Sequence, residues 1–282
     1  MPPSGPPKAI PRALVRTFAT VAADRAHGAG SLALRTARAL RANLPNLWTG
    51  NVDARPRQAK AIAEELSRLQ PAMGAFREWS RVWAEAARKV KARDLPRWSD
   101  RWVQTTLRRL HAEPRRILSH VRPGALAGKR VLTLSRSEAV ERTLLSLSDG
   151  HRPSEVMVLW SEPGGEGWGL ARSLARRGLP VRLLPDRAAA SAVRECDLLL
   201  IGADAVYGDG SVVHKVGTRR IASLAATRRC PVVVVTGTSK WVGRRPAPRH
   251  LPPLFDLTPA RCVSEYWTDR GRRKGRGVSL RS

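Results

Sequence analysis

Cysteine is scarce in this 282-residue chain: Cys196, Cys230 and Cys262 are the whole supply, and no two of them share C-x-x-C spacing. That pattern argues against a zinc site and against a disulfide framework. Cys196 and Cys230 fall against expected strands, where a thiol ordinarily serves as a small buried hydrophobe. No apolar run reaches the ~18 to 20 residues that a membrane-spanning helix needs. The opening stretch MPPSGPPKAIPR is rich in proline and lacks the apolar centre of a secretory leader. A cytoplasmic protein without membrane association is therefore expected. No G-x-G-x-x-G follows the first expected strand, which argues against a nicotinamide or flavin dinucleotide enzyme. No cofactor and no metal site are anticipated, and no internal repeat is evident.

Acidic residues are also in short supply, 23 against 51 basic ones, for a net charge of +28. Such an excess draws acidic small molecules or an acidic partner, and clustered Lys and Arg would mark a nucleic-acid footprint. The charge is not clustered. There are 24 basic and 9 acidic residues up to Gly128, and 27 basic and 14 acidic after it. Arginine outnumbers lysine 43 to 8, the mark of a codon bias rather than of phosphate contacts. Only the stretch from Arg270 to Arg281 forms a local basic run. The even spread favours a solvated surface, and RNA or ribosome binding ranks last among the functional readings.

What is present divides into two periodicities. Residues 1–120 read as a helical subdomain. Leu32, Leu34, Ala37 and Leu40 fit one helix, Ala61, Ile62, Leu66 and Leu69 a second, and Phe76, Trp79, Val82, Trp83 and Ala86 a third. Asp94 and Pro96 mark the entry to a further helix carrying Trp98, Trp102, Leu107, Leu110 and Ile117. Tryptophans at helical spacing invite a base-stacking role, but such spacing more often fills a core.

Residues 121–130 read as a linker, and 131–282 as a Rossmann-like α/β domain ending in a basic tail. Strands are expected at Val131–Leu134, Glu155–Trp160, Val181–Leu184, Asp197–Ile201 and Pro231–Val235. Helical segments are expected between them at Ser137–Leu147, Gly167–Arg177, Ala188–Glu195 and Thr218–Arg229. Apolar runs without polar alternation indicate strands covered on both faces, as in a parallel sheet. In such a sheet ligands lie outside the carboxyl ends of the strands, beside helix N-termini. That rule nominates residues 133–137, 161–167, 185–187 and 202–218.

Each loop offers chemistry. Ser135, Arg136 and Ser137 end the first strand, where hydroxyls, backbone N–H groups and a guanidinium can hold a phosphate, although a serine there can equally cap the helix. Gly167 closes a glycine-rich loop that permits close approach of a ligand. Asp204 stands at the carboxyl end of a strand, where a carboxylate holds hydroxyls or exchanges protons. Asp209 and Gly210 fit a hairpin tip. His214, Lys215, Gly217 and Thr218 then lead into a helix whose first turn could receive a phosphate beside the Lys215 ammonium.

The segment GADAVYGDGSVVHKVGTRRIA, with FDLTP and Thr268 to Gly271 following, resembles a signature of one family. That family joins the alpha, beta and delta regulatory subunits of translation initiation factor 2B to two isomerases, acting on methylthioribose 1-phosphate and on ribose 1,5-bisphosphate. Arg25 to Gly30 looks like its N-terminal motif. The resemblance implies a helical N-terminal domain, a Rossmann-like C-terminal domain and a homodimer through the latter. It also locates departures. The isomerases carry a cysteine where this chain has Ser135, and a hydroxyl cannot do thiol acid–base work at neutral pH. The motif E-[ST]-R-P, whose arginine holds the substrate phosphate, reads Trp160-Ser161-Glu162-Pro163. His27, followed by Gly28, stands where the isomerases have the arginine of R-G-A, and an asparagine becomes His214. Asp204 and Lys215 remain.

The first functional expectation is a regulatory-subunit-like protein that binds a phosphorylated metabolite or nucleotide and acts through a protein partner. The alternative is a divergent aldose–ketose isomerase. There Asp204 would be the acid/base, and Lys215, Arg136 and Ser137 would grip the phosphate.

Overall fold

The computed structural model describes residues 10–24, 27–243, 247–248 and 250–277. The chain divides into two compact units, Met1–Ala112 and Glu113–Ser282. Among the described residues, five α-helices make up the first part: α1 (Arg12–Ala23), α2 (Ala29–Leu47), α3 (Arg55–Leu69), α4 (Gly74–Lys89) and α5 (Leu95–His120). The division between units falls inside α5.

In the first unit the tryptophans are packing material. Trp83 is fully buried, stacked on Trp48 with centroids 6.4 Å apart. It meets Trp98 and Trp102 edge-on at 5.2 and 5.7 Å. Edge-to-face pairs of this kind add to what area burial already contributes. Trp48 Nε1 donates to Ser99 Oγ at 2.9 Å, which satisfies that indole.

The second unit is α/β. Its elements are β1 (Arg130–Leu134), α6 (Glu138–Leu145), β2 (Glu155–Leu159), α7 (Glu166–Ala175), β3 (Val181–Leu184), α8 (Ala189–Glu195) and β4 (Leu198–Ile201). They are followed by β5 (Ala205–Val206), β6 (Val212–Lys215), α9 (Thr218–Thr227), β7 (Val232–Val235), β8 (Phe255–Thr258), β9 (Glu265–Thr268) and β10 (Gly271–Lys274). The main sheet has the order β10-β9-β7-β4-β1-β2-β3. Its strands are parallel except for β10, which runs antiparallel to β9. A second sheet, β5-β6-β8, is antiparallel.

Alternate residues of each central strand enter opposite cores. Leu132, Met157, Leu199 and Val232 lie on one face, and Val131, Val156, Leu198 and Val233 on the other. Burial on both faces explains the unbroken apolar runs. The strand order reverses between β1 and β4, because β1 to β3 extend one way and β4 returns to the other side. The crevice at the carboxyl ends of β1 and β4 is the place where this topology binds ligands.

Three expectations need correction. The stretch 121–130 is not a free linker: Leu126 is fully buried in the apolar core. The basic run after Arg270 is not a tail throughout, since Gly271–Lys274 pairs with Glu265–Thr268 as the sheet's outermost strand. Arginine and lysine side chains there suit an edge strand, which charge protects from further pairing. The strands β5, β6, β8, β9 and β10 were all absent from the expected set. Residues 278–282 lie outside the described residues.

Trp83→Ala should cost about 3 to 5 kcal/mol, as for other large buried aromatics. The check is the denaturant midpoint of helical signal; a loss below about 1 kcal/mol would mean that the tryptophan cluster is not the core of the first unit.

Candidate functional site

The loops after β1, β2 and β3 are tied to one another. Ser135 (φ 60°) and Ser161 (φ 71°) both adopt the left-handed conformation, which disfavours residues with a Cβ. The Ser135 N–H donates to Ser161 Oγ at 2.6 Å, and that hydroxyl donates to Leu159 O at 2.9 Å. Asp186 accepts from the N–H groups of Ser161 and Glu162 at 2.8 and 2.7 Å. Backbone strain of this kind persists only where surrounding bonds over-determine it.

At the switch point the loops after β1 and β4 touch. A Cβ on Gly202 would overlap Ser137 and come within 3.3 Å of His214 Nε2. Ser137 is the N-cap of α6. At Gly167 a side chain would overlap the Leu159 carbonyl. Its absence lets the first turn of α7 descend onto the end of β2 and carries Glu166 inward.

There Glu166 Oε1 accepts from Lys215 Nζ at 2.7 Å. The ammonium side chain is 6% exposed and the carboxylate 29%. Lys215 is buried because all four residues of β6 are buried between β5 and β8. A charge so placed needs a close opposite partner. Asp204 is half-buried beside this pair. Burial pushes its carboxyl above the ordinary value, and Glu166 adds to the effect, while Lys240 and Lys215 oppose it.

Lys240 reaches the same place from the loop after β7, donating to Ala203 O at 2.7 Å. Two carboxylates hold that loop. Glu113 accepts from Ser239 N and Oγ at 2.9 and 2.8 Å, and Asp269 accepts from Thr238 N and Oγ1 at 2.6 and 2.9 Å. Burial raises the Glu113 carboxyl above its ordinary value despite the bonds from Ser239. His214 is buried, with Nδ1 3.1 Å from Thr218 Oγ1, and Thr218 donates to Lys215 O at 2.5 Å. Burial first, then Lys240 and Lys215, depress the His214 imidazole to about 3, so it is neutral at physiological pH.

The sequence-derived residues therefore divide. Asp204, His214, Lys215, Thr218 and Ser137 meet at the switch point, with Ser135 on its rim. Gly167 acts through packing. Thr218 and Ser137 spend their hydroxyls inside the protein. Arg136 is exposed, pairs with Glu141 at 3.2 Å and lies against Gly169. The first turn of α9 does not offer the expected phosphate seat: Asp256 accepts from Gly217 N at 2.6 Å and Arg219 N at 3.1 Å. Gly217 contributes its left-handed φ of 96° at the N-cap. In the first unit Gly28 is the N-cap of α2. His27 is bound through Nδ1 to Asp24 at 2.9 Å. Arg25 lies outside the described residues.

Two members were missed, Glu166 and Lys240. A signal for the second existed: in a chain with 43 arginines, the eight lysines are positions where a compact, flexible ammonium is retained against the bias.

Comparison with known proteins bears on this arrangement. The model of the initiation factor 2 subunit family matches residues 25–250. The chain belongs to that family. It is 33% identical over 185 residues to methylthioribose-1-phosphate isomerase of Gemmatimonas aurantiaca, covering 55% of this chain and 50% of the relative. It is 28% identical to ribose 1,5-bisphosphate isomerase of Methanocaldococcus jannaschii, covering 51% and 54%. The chain thus spans about half the length of these two relatives. The match to ribose 1,5-bisphosphate isomerase of Haloferax volcanii is longer, 26% identical over 91% of this chain and 87% of the relative. In fold the chain is similar to translation initiation factor eIF-2B of Pyrococcus horikoshii, with a TM-score of 0.76 and 23% identity over 93% of this chain and 97% of that one. Within this initiation factor 2 family member, the departure at Ser135 falls on the strained backbone at the rim, and Glu162 is exposed.

His214 has a folded-state value below its unfolded one, near 6.5. The stability this difference contributes is present above about 6.5 and lost as pH falls toward 3, with a slope of up to about 1.4 kcal/mol per pH unit. His214→Gln should flatten the acid side of the pH–stability curve by that slope. Parallel curves for the two proteins between pH 6.5 and 4 would contradict a buried neutral imidazole.

Proposed function

We propose that this protein binds a phosphorylated sugar-type metabolite or a nucleotide at the carboxyl edge of β1, β2 and β4, without turning it over by thiol chemistry. The observation that carries this reading is the Lys215–Glu166 pair, its ammonium buried, beside a half-buried Asp204. Charges held out of water at a topological switch point cost stability, and perturbed carboxyls concentrate at functional sites. An anionic ligand group competes with Glu166 for the Lys215 ammonium. A ligand hydroxyl supplies the donor that the Asp204 carboxylate can accept. Ser135 lacks a thiol, and its N–H is already engaged by Ser161, so the rim of β1 is built for contact rather than acid–base work.

A second reading, aldose–ketose isomerisation, is favoured by one specific feature. The raised Asp204 carboxyl moves toward the range in which a carboxyl exchanges protons near neutral pH. In that reading Asp204 assists hydrogen movement between C1 and C2 of an opened pentose phosphate and Lys215 grips the phosphate, while Ser137 and Arg136 join it by exchanging their present partners, the Val140 N–H and Glu141. The relatives named as isomerases support it. A homodimer through the second unit belongs to the same proposal, supported by the oligomeric eIF2B complex from C. thermophilum among the fold neighbours. Sedimentation at micromolar concentration tests it.

The decisive experiment is a thermal-shift screen of ribose phosphates and nucleoside monophosphates, followed by an isomerase assay on every hit. Binding without turnover, weakened at least about tenfold by Lys215→Met and abolished by Asp204→Ala, is the expected result. Turnover lost in Asp204→Asn would establish the isomerase instead. No shift with any phosphorylated sugar or nucleotide would remove both.

A further inference from the structure

The edge of the main sheet opposite the ligand crevice carries a feature that neither reading uses. Cys196 follows α8 and Cys230 precedes β7, and their Sγ atoms lie 3.4 Å apart. Both are buried, each with 8% exposure, and both are free thiols. The register Leu199↔Val232 places Asp197 opposite Cys230, so Cys196 sits one residue off the direct partner. With strands about 4.8 Å apart and a rise of about 3.3 Å per residue, the diagonal Cα separation is roughly 5.8 Å. That lies in the middle of the span a disulfide bridges.

We propose that Cys196 and Cys230 form an oxidisable dithiol that closes to a disulfide with hydrogen peroxide and reopens with thiol reductants. The small oxidant suits the narrow exposure. Cys230 Sγ attacks one peroxide oxygen, the O–O bond breaks, and hydroxide leaves and is protonated to water, giving a sulfenic acid at Cys230. Cys196 Sγ then attacks Cys230 Sγ; the S–S bond forms, the S–O bond breaks, and the second oxygen leaves as water. Two thiols lose two protons and two electrons in all, and the peroxide is reduced to two waters.

The order of steps follows from the pair's hydrogen bond. Either Sγ can donate across the 3.4 Å contact; with Cys196 as the donor, the bond holds the Cys230 thiol below its ordinary value, against burial. The same bond, together with burial, pushes Cys196 up. The first thiolate formed is thus stabilised by its neighbour, which then serves as the resolving group.

The consequence reaches the opposite edge of the sheet. The interval between the two cysteines contains β4, Asp204, β5, β6, Lys215 and α9. A bridge would join both ends of the segment that brings Asp204 and Lys215 to the ligand crevice, restricting its excursions in the unfolded chain. Cys262 lies apart, its Sγ 3.8 Å from Ser223 Oγ.

The test uses the full chain, oxidised with hydrogen peroxide without denaturant, then denatured, alkylated and mapped by mass spectrometry. The expected result is loss of two of the three thiols, a peptide pair joined through Cys196 and Cys230 and lighter by two hydrogens, and full recovery on reduction. The thermal midpoint of the oxidised protein should rise by several degrees. Cys262→Ser should leave the bridge intact, while Cys196→Ser should stop at a sulfenic acid on Cys230. Peptide mapping of the unmodified sequence stands independently of whether the variants fold. Three alkylatable thiols after oxidation, a bridge that includes Cys262, or Cys230 passing to sulfinic acid with Cys196 still reduced would each overturn the proposal.

Discussion

The contact between Lys215 and Glu166 constrains the whole carboxyl edge of the second unit. An ammonium on a fully buried strand must meet an anion at hydrogen-bond distance, or the strand cannot stay buried. Meeting it requires α7 to start low over β2, which only the missing side chain of Gly167 allows. It also requires β6 to be sandwiched between β5 and β8, with α9 starting immediately after it. Asp256 near the start of β8 closes that entry by capping the helix. A short basic residue, a glycine and a carboxylate far apart in sequence are thereby made interdependent.

The same edge concentrates the features that oppose stability. Ser135 and Ser161 hold left-handed backbone, the half-buried Asp204 carboxyl is raised by burial, and His214 is buried without charge. On the other side, β1, β2, β4 and β7 contribute fully buried aliphatic side chains to both faces of the sheet. The central strands thus supply the rigidity on which the strained loops depend. Natural proteins tolerate such local violations where a site needs them.

Much of this was legible in the residues. Apolar runs such as Val232 to Val235 announce a strand covered on both faces, and the five such runs located five of the seven strands of the main sheet. Asp204 and Lys215 were legible because they sit at a strand end and a helix entry in one short segment. The remainder was hidden for physical reasons. Strand β10, reading Gly-Arg-Arg-Lys, has no apolar pattern because its side chains are solvated at an edge. Strand β6 contains His214 and Lys215, polar residues that periodicity reads as loop; only their partners Thr218 and Glu166 make them buriable. Glu113 is brought to the loop after β7 by folding alone, and Lys240 is marked in the sequence only by being a lysine among many arginines. Gly217 and Thr218 looked like a phosphate seat because the sequence does not reveal that Asp256 already fills it.

The account rests on burial raising the half-buried Asp204 carboxyl while Glu166, Lys215 and Lys240 act on it. The most direct measurement is the carbon-13 carboxyl resonance of Asp204, assigned by its loss in Asp204→Asn and followed against pH. A midpoint clearly above the ordinary aspartate value of about 3.9, moving higher still in Lys215→Met, is what the account predicts. A midpoint at or below that value, unchanged by the loss of Lys215, would contradict it.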